Sequence, residues 1–258
     1  MTRPHVEFIQ AQALAWQPTA LPHLAGTQCK VLSRDAESGA CTVLLRFPEG
    51  FRLEGDWALD SEEEFLVLDG ELALGGARYS QDCYALLPSG SRRGEMLALR
   101  ESVVIAFFNE PPAVPVRAIP RLDAFELPWS CAEMDPVYAD VGLRFKILRG
   151  GIGEARSTML VYCPPHLHPP HWRGPQEVHD CVEEMFLISG DYLSNVGRMR
   201  EGAYFWRPPG IAHGPYGTRM GNLALIRTIG APLVNNWTRE DVEISREQVA
   251  RPGLAEPY

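Results

Sequence analysis

Five of the seven histidines in this 258-residue chain fall between His166 and His213. Two short stretches in that window carry the residue types that bind metals. The first is Glu177-Val178-His179-Asp180-Cys181-Val182-Glu183, and the second is Pro208-Pro209-Gly210-Ile211-Ala212-His213. Imidazole and carboxylate together form a ligand set for divalent transition metals. Side chains alternate faces along a strand, so Glu177, His179 and Glu183 are expected on one face with Cys181 between them. A Pro-Pro-Gly turn then presents His213 from a neighbouring strand. The candidate ligands are His179, Glu183 and His213, with Glu177 or His171 as the fourth. His171 closes a proline-rich loop that starts at Pro164 and could swing in. Glu177 or Glu183, where not fully ligated, is also a candidate general base.

Other residues in the window have a functional and a structural reading. Cys181 is a thiolate ligand or simple packing. His166 and His168, among four prolines, fit the solvated mouth of a site. Tyr204 and Trp206 alternate along the strand before His213, as core or as an aromatic wall for a substrate. Arg227 lies inside the apolar run Leu223 to Ile229. A buried arginine needs a partner, so it either meets an acid such as Glu184 or binds a substrate carboxylate.

Strands must position these residues. Segments such as Cys29–Ser33, Cys41–Phe47 and Tyr84–Leu87 are β-branched, aromatic or aliphatic runs stopped by Gly and Pro, which predicts many short strands. Asp69-Gly70 between two apolar runs predicts a hairpin. One helix is expected, Arg239 to Ala250 with Thr238 as its N-cap. Residues 109–115, rich in proline, read as a linker. The second half repeats the first: Lys146-Ile147-Leu148 follows Lys30-Val31-Leu32 by 116 residues, and Tyr204 to Gly210 follows Tyr84 to Gly90 by 120. Repeats of this kind predict an all-β chain of two tandem jelly-roll barrels, residues 1–112 and 113–258. The 120-residue offset sets Trp57, Leu59, Glu63 and Arg93 at the positions of Glu177, His179, Glu183 and His213. One carboxylate among such neighbours cannot hold a transition metal. The first barrel is therefore expected to be structural, with Glu63 paired to a cation such as Arg93.

Composition excludes several partners. The formal charge is −9, the wrong sign for phosphate backbones. No apolar run suits a membrane span and no signal peptide opens the chain, so a cytoplasmic location is expected. The six scattered cysteines form no C-x-x-C pair and read as reduced thiols.

The two stretches resemble the signature motifs of the cupin superfamily. His179, Glu183 and Gly190 match its first motif; Gly202, Pro208, Gly210 and His213 match its second. Glu177 stands where the first motif usually opens with histidine, and Gly217 where the second ends in asparagine. The resemblance covers roughly residues 28–108 and 144–230 and implies a bicupin of two double-stranded β-helix barrels, the C-terminal one metal-bearing. It implies a divalent metal, Fe(II) being favoured with Mn, Ni or Zn as alternatives, and a small oxygenated organic substrate attacked by dioxygen. Cupin lyases and isomerases use the same site. Regulators of the ChrR type hold zinc in such a barrel without turnover, although their helical N-terminal segment with its Cys/His zinc site has no counterpart here. Storage bicupins such as seed globulins lack the ligands altogether. A homodimer is a further expectation from the resemblance.

Overall fold

A computed structural model describes residues 3–110, 116–132, 134–168 and 171–244. In chain order the strands are β1 (Val6–Gln10), β2 (Gln17–Pro18), β3 (Gln28–Arg34), β4 (Cys41–Phe47), β5 (Arg52–Leu53), β6 (Glu62–Asp69), β7 (Glu71–Leu74), β8 (Ala77–Ser80), β9 (Cys83–Leu87) and β10 (Met96–Ala98). They continue as β11 (Ser102–Asn109), β12 (Ile119–Asp123), β13 (Arg144–Arg149), β14 (Arg156–Cys163), β15 (Arg173–Val178), β16 (Val182–Leu193), β17 (Arg198–Arg200), β18 (Ala203–Arg207), β19 (Asn222–Ile229) and β20 (Asn236–Glu243). One short helix, α1 (Pro136–Asp140), precedes β13. Among the described residues no helix is long and apolar enough to cross a membrane.

The strands form two double-sheet barrels. The first unit comprises Met1–Pro4 and Leu14–Leu127, the second His5–Ala13 and Pro128–Tyr258. The division thus falls at Leu127–Pro128, later than the 112/113 boundary expected from the proline-rich stretch, because strand pairing decides membership. Strand β12 pairs with β9 and so completes the first unit, while β1 pairs with β18 and joins the second. The first unit has sheets ordered β12-β9-β6-β11-β4-β3-β2 and β5-β10-β7-β8. The second has β1-β18-β16-β19-β14-β13, with β17 on β16, and a small sheet of β15 and β20.

Two expectations about local structure are corrected. Asp69-Gly70 is not a hairpin turn: β6 pairs with β9 and β11, whereas β7 pairs with β8 and β10. The chain crosses from one sheet to the other there. Gly70 is required because its φ is 91° and a Cβ would sit 2.3 Å from the Glu101 carbonyl. Gly190 repeats this corner, with φ 83° and a Cβ 2.0 Å from the Gly221 carbonyl. The tail from Asn236 to Glu243 is strand β20, not a helix, because it forms a ladder with β15 and the Thr238 hydroxyl accepts from the Gln176 amide at 2.8 Å. Residues 245–250 of the expected helix and 111–115 of the expected linker lie outside the described residues.

The repeat is visible in single hydrogen bonds. Gly90 donates its amide to the Leu59 carbonyl at 2.8 Å, as Gly210 does to His179 at 2.9 Å. Arg93 donates to Trp57 at 2.9 Å, as His213 does to Glu177 at 3.0 Å. The two interiors differ. Phe47, Phe65, Val104 and Phe108 fill the first barrel, leaving a void of about 20 Å³. By strand register the second barrel has Cys163, Ala224 and Thr228 where the first has Phe47, Val104 and Phe108. The second barrel holds a cavity of about 810 Å³, which Cys163 lines.

Candidate metal centre

Glu177 lies near the end of β15, His179 and Cys181 lie in the bend that follows, and Glu183 is the second residue of β16. The expected continuous strand is therefore interrupted, and β15 and β16 belong to different sheets. A reciprocal backbone pair joins the two motifs: Glu177 N–H donates to His213 O at 2.9 Å and His213 N–H to Glu177 O at 3.0 Å. This clamp brings one donor atom each from Glu177, His179 and His213 within 4.8 Å of one another. Glu183 adjoins them, its Oε2 3.1 Å from His213 Nε2. His179 Nε2 lies 3.6 Å from Glu177 Oε2.

Both imidazoles are oriented from behind. His179 Nδ1 meets the Val234 carbonyl at 3.0 Å and His213 Nδ1 meets the Ile211 carbonyl at 2.9 Å. A carbonyl can only accept, so each Nδ1 carries hydrogen and each Nε2 is turned toward the cluster, the orientation typical of metal-binding histidines. His213 Nε2 and Glu183 Oε2 are buried without a hydrogen bond of good geometry. The two atoms face each other at 3.1 Å, and a cation bound between them would be met by both. The donor set of two imidazoles with carboxylates suits a divalent transition metal.

Electrostatics sharpen the cluster. Burial alone would depress the His179 pKa, but the hydrogen bond to Glu177 and the charge of Glu183 outweigh it and raise the value to about 9. Burial alone would raise Glu183; His213, then His179 and Arg207, instead hold it at about 2, so it is ionised at neutral pH. The Arg207 guanidinium stacks 3.6 Å from the Phe205 ring, reaches Glu183 and Glu7 at 3.5 Å, and donates to the Tyr216 hydroxyl at 2.6 Å.

The cluster opens into the 810 Å³ cavity, whose walls include Phe145, Met159, Val161, Ile226 and Leu233. Several lining residues were not singled out from the sequence: Tyr138, Trp172, Tyr192, Tyr216 and Trp237. Tyr138 had a readable signal, since Asp135-Pro136 is a helix start and Asp135 does accept from the Val137 amide at 3.1 Å. Burial, and then the nearby Glu177 carboxylate, push the Tyr138 phenol well above its usual range. His168 lines the cavity, stacked 3.7 Å on Trp172. Gly217 sits in a tight place: a Cβ there would come within 3.2 Å of the Leu167 and His168 carbonyls, which would have to give by a few tenths of an ångström.

Five candidates lie elsewhere. His171 is turned outward, its Nδ1 3.0 Å from Glu243 Oε1 on β20, so Glu177 is the residue beside the two histidines. Tyr204 and Trp206 do not line the cavity: on β18 it is Ala203 and Phe205 that enter the barrel core, and alternation points the other two away. The Tyr204 hydroxyl donates to Glu184 Oε1 at 2.7 Å. Arg227 donates to Glu184 Oε2 at 2.5 Å with both side chains 1% exposed, which makes it a paired structural cation and not a substrate contact. Cys181 is buried outside the cavity lining and outside the Glu177, His179 and His213 cluster, and burial pushes its thiol up to about 12. In the first barrel Arg93 is ion-paired to Glu63 and lies 5.2 Å from the Trp57 ring.

The family of the ChrR cupin-like domain matches residues 5–113 and 127–229, and the chain belongs to this family. No curated protein matches the chain. Among solved structures, a candidate dioxygenase from Nostoc punctiforme PCC 73102 aligns at TM-score 0.73 and 20% identity, over 93% of this chain and 86% of that one. A mutant oxalate decarboxylase from Bacillus subtilis aligns at TM-score 0.56 and 11% identity, over 93% and 80%. Vicilin from hazelnut, Corylus avellana, aligns at 0.55 and 9%, over 87% and 85%. At these identities the likeness establishes a shared two-barrel cupin fold, common to chains with unlike names.

Proposed function

We propose that the protein is a metal-dependent bicupin enzyme of the dioxygenase type, acting on a small oxygenated organic molecule in its C-terminal barrel. The observation that carries the reading is the convergence of Glu177, His179 and His213 within 4.8 Å at one end of a cavity large enough for a substrate. These three would hold the ion, with Glu183 as a further ligand or as the base. A divalent ion there supplies Lewis-acid polarisation of a substrate oxygen, and iron would add the one-electron chemistry that dioxygen needs. The chain's own residues contribute orientation and charge. Val234 and Ile211 aim the imidazoles. Glu183, ionised at neutral pH, would add a second carboxylate charge beside the ion.

The match to the ChrR cupin-like family favours a second reading, a zinc-holding sensor without turnover, and a lyase or isomerase would use the same residues. Metal analysis separates these. The protein purified without added metal is compared with His179→Ala and His213→Ala. Stoichiometric iron, manganese or nickel, lost in both variants, with oxygen consumed in a substrate screen, is the expected result. Stoichiometric zinc without oxygen uptake would move the assignment to the sensor or lyase. A wild type that takes up no metal even on reconstitution refutes the reading.

A further inference from the structure

The cavity is chemically one-sided. Glu177, His179 and Glu183 form one charged part of its lining, while Phe145, Met159, Val161 and Ile226 form an apolar wall. No Lys or Arg is among the described residues that line it, and the neighbouring Arg207 is engaged by Glu183, Glu7 and Tyr216. The carboxylates of Asp135, Glu177 and Glu183 all line the space. The charge of a divalent ion, or in its absence that of the His179 imidazolium, would be matched by Glu177 and Glu183, leaving no surplus positive charge for an anionic substrate, and a buried unpaired charge is heavily penalised. The volume of about 810 Å³ lies within the roughly 300–1,000 Å³ of pockets that enclose drug-sized ligands. One phenol, held beside the Glu177 carboxylate, faces this polar end. The Tyr138 hydroxyl on α1 is buried without a hydrogen-bond partner of good geometry among the described residues, and its ring is 5.9 Å from Trp237.

We propose that the cavity selects an uncharged, largely apolar molecule bearing an oxygen function at one end, and that Tyr138 donates a hydrogen bond to that oxygen. The inference deepens the enzyme reading above and rests on it only for which end of the ligand meets the metal. It excludes small dicarboxylates and other anions as substrates. Tyr138 is a binding residue that chooses and orients, whatever reaction follows.

The test uses three probes of one shape: 2-naphthol, 2-naphthoate and naphthalene. Each is titrated against the full-length protein, metal-free and metal-loaded, by calorimetry and by quenching of tryptophan fluorescence. The expected order is 2-naphthol tightest, naphthalene weaker, and 2-naphthoate weaker than 2-naphthol by on the order of a hundredfold, since its charge finds no partner. Tyr138→Phe should weaken 2-naphthol by on the order of tenfold, the loss of one hydrogen bond, and leave naphthalene and the metal content unchanged. Equal binding of 2-naphthoate and 2-naphthol, or no binding of any probe to the wild type, overturns the inference. So does an equal effect of Tyr138→Phe on naphthol and naphthalene. The metal content of the same samples keeps the two proposals apart. Metal without probe selectivity sinks only the substrate class, and selectivity without metal sinks only the enzyme reading.

Discussion

Replacing Arg227 by methionine should cost much of the protein's stability while leaving its metal site intact. Arg227 and Glu184 face each other at 2.5 Å, each side chain 1% exposed, and Tyr204 donates to the second carboxylate oxygen. Removing one partner of a buried ion pair strands the other charge, which typically costs about 3–5 kcal/mol. A single domain is stable by only about 5–15 kcal/mol, so a large share of the margin disappears. Tyr204→Phe, which removes one hydrogen bond to a charged acceptor, should cost about 1.5–3 kcal/mol. The double variant Arg227→Met/Glu184→Leu should recover most of the loss, because no unpaired charge remains and apolar replacements of buried pairs are often neutral. Urea denaturation followed by fluorescence gives these differences, and a double-mutant cycle extracts the coupling. The reasoning fails if Arg227→Met keeps the wild-type midpoint and loses binding of carboxylate-bearing compounds instead. That result would return Arg227 to the substrate role that the sequence left open.

Three further outcomes follow from the same geometry. Metal must displace the proton that holds His179 at a pKa of about 9, so apparent affinity for Zn²⁺ or Co²⁺, read by chelator competition, should climb about tenfold per pH unit between about 7 and 9; a plateau beginning near 6.5 would contradict it. Because the backbone bonds at Gly90 and Arg93 match those at Gly210 and His213, the triple variant Trp57→Glu/Leu59→His/Arg93→His should give the first barrel a second equivalent of bound metal, detected by elemental analysis. An unchanged stoichiometry in a folded variant would show that the smaller interior, not the ligand set, keeps that barrel inert. Gly190→Ala, with a Cβ forced to 2.0 Å from the Gly221 carbonyl, should lower stability far more than Gly210→Ala, which meets nothing within 4 Å and pays only about 1–2 kcal/mol for its positive φ; thermal melts of the two variants compare them directly.

The amino-acid sequence by itself determined the architecture and located the candidate site. The 116- and 120-residue offsets required two copies of one all-β unit, and their strand registers coincide in the structure. Ligand chemistry alone separated the barrels, because Trp57, Leu59 and Arg93 offer no donor to a metal. The spacing from His179 to Gly190 and from Gly202 to His213 marked the motifs through their resemblance to the cupin signatures, which are local in the chain. Only the tertiary structure decided which residues from different elements meet. Alternation orders side chains within one strand, but the bend between β15 and β16 and the register of β20 are set by long-range ladders. Those ladders turn His171 toward Glu243, place Glu177 opposite His213, and convert the expected C-terminal helix into a strand. They also face Tyr204 and Arg227 away from the cavity and bring Tyr138, about 40 residues before the first motif, to its polar end. Whether a barrel is filled or hollow is likewise a sum over side chains from many strands, and no single stretch of the chain contains it.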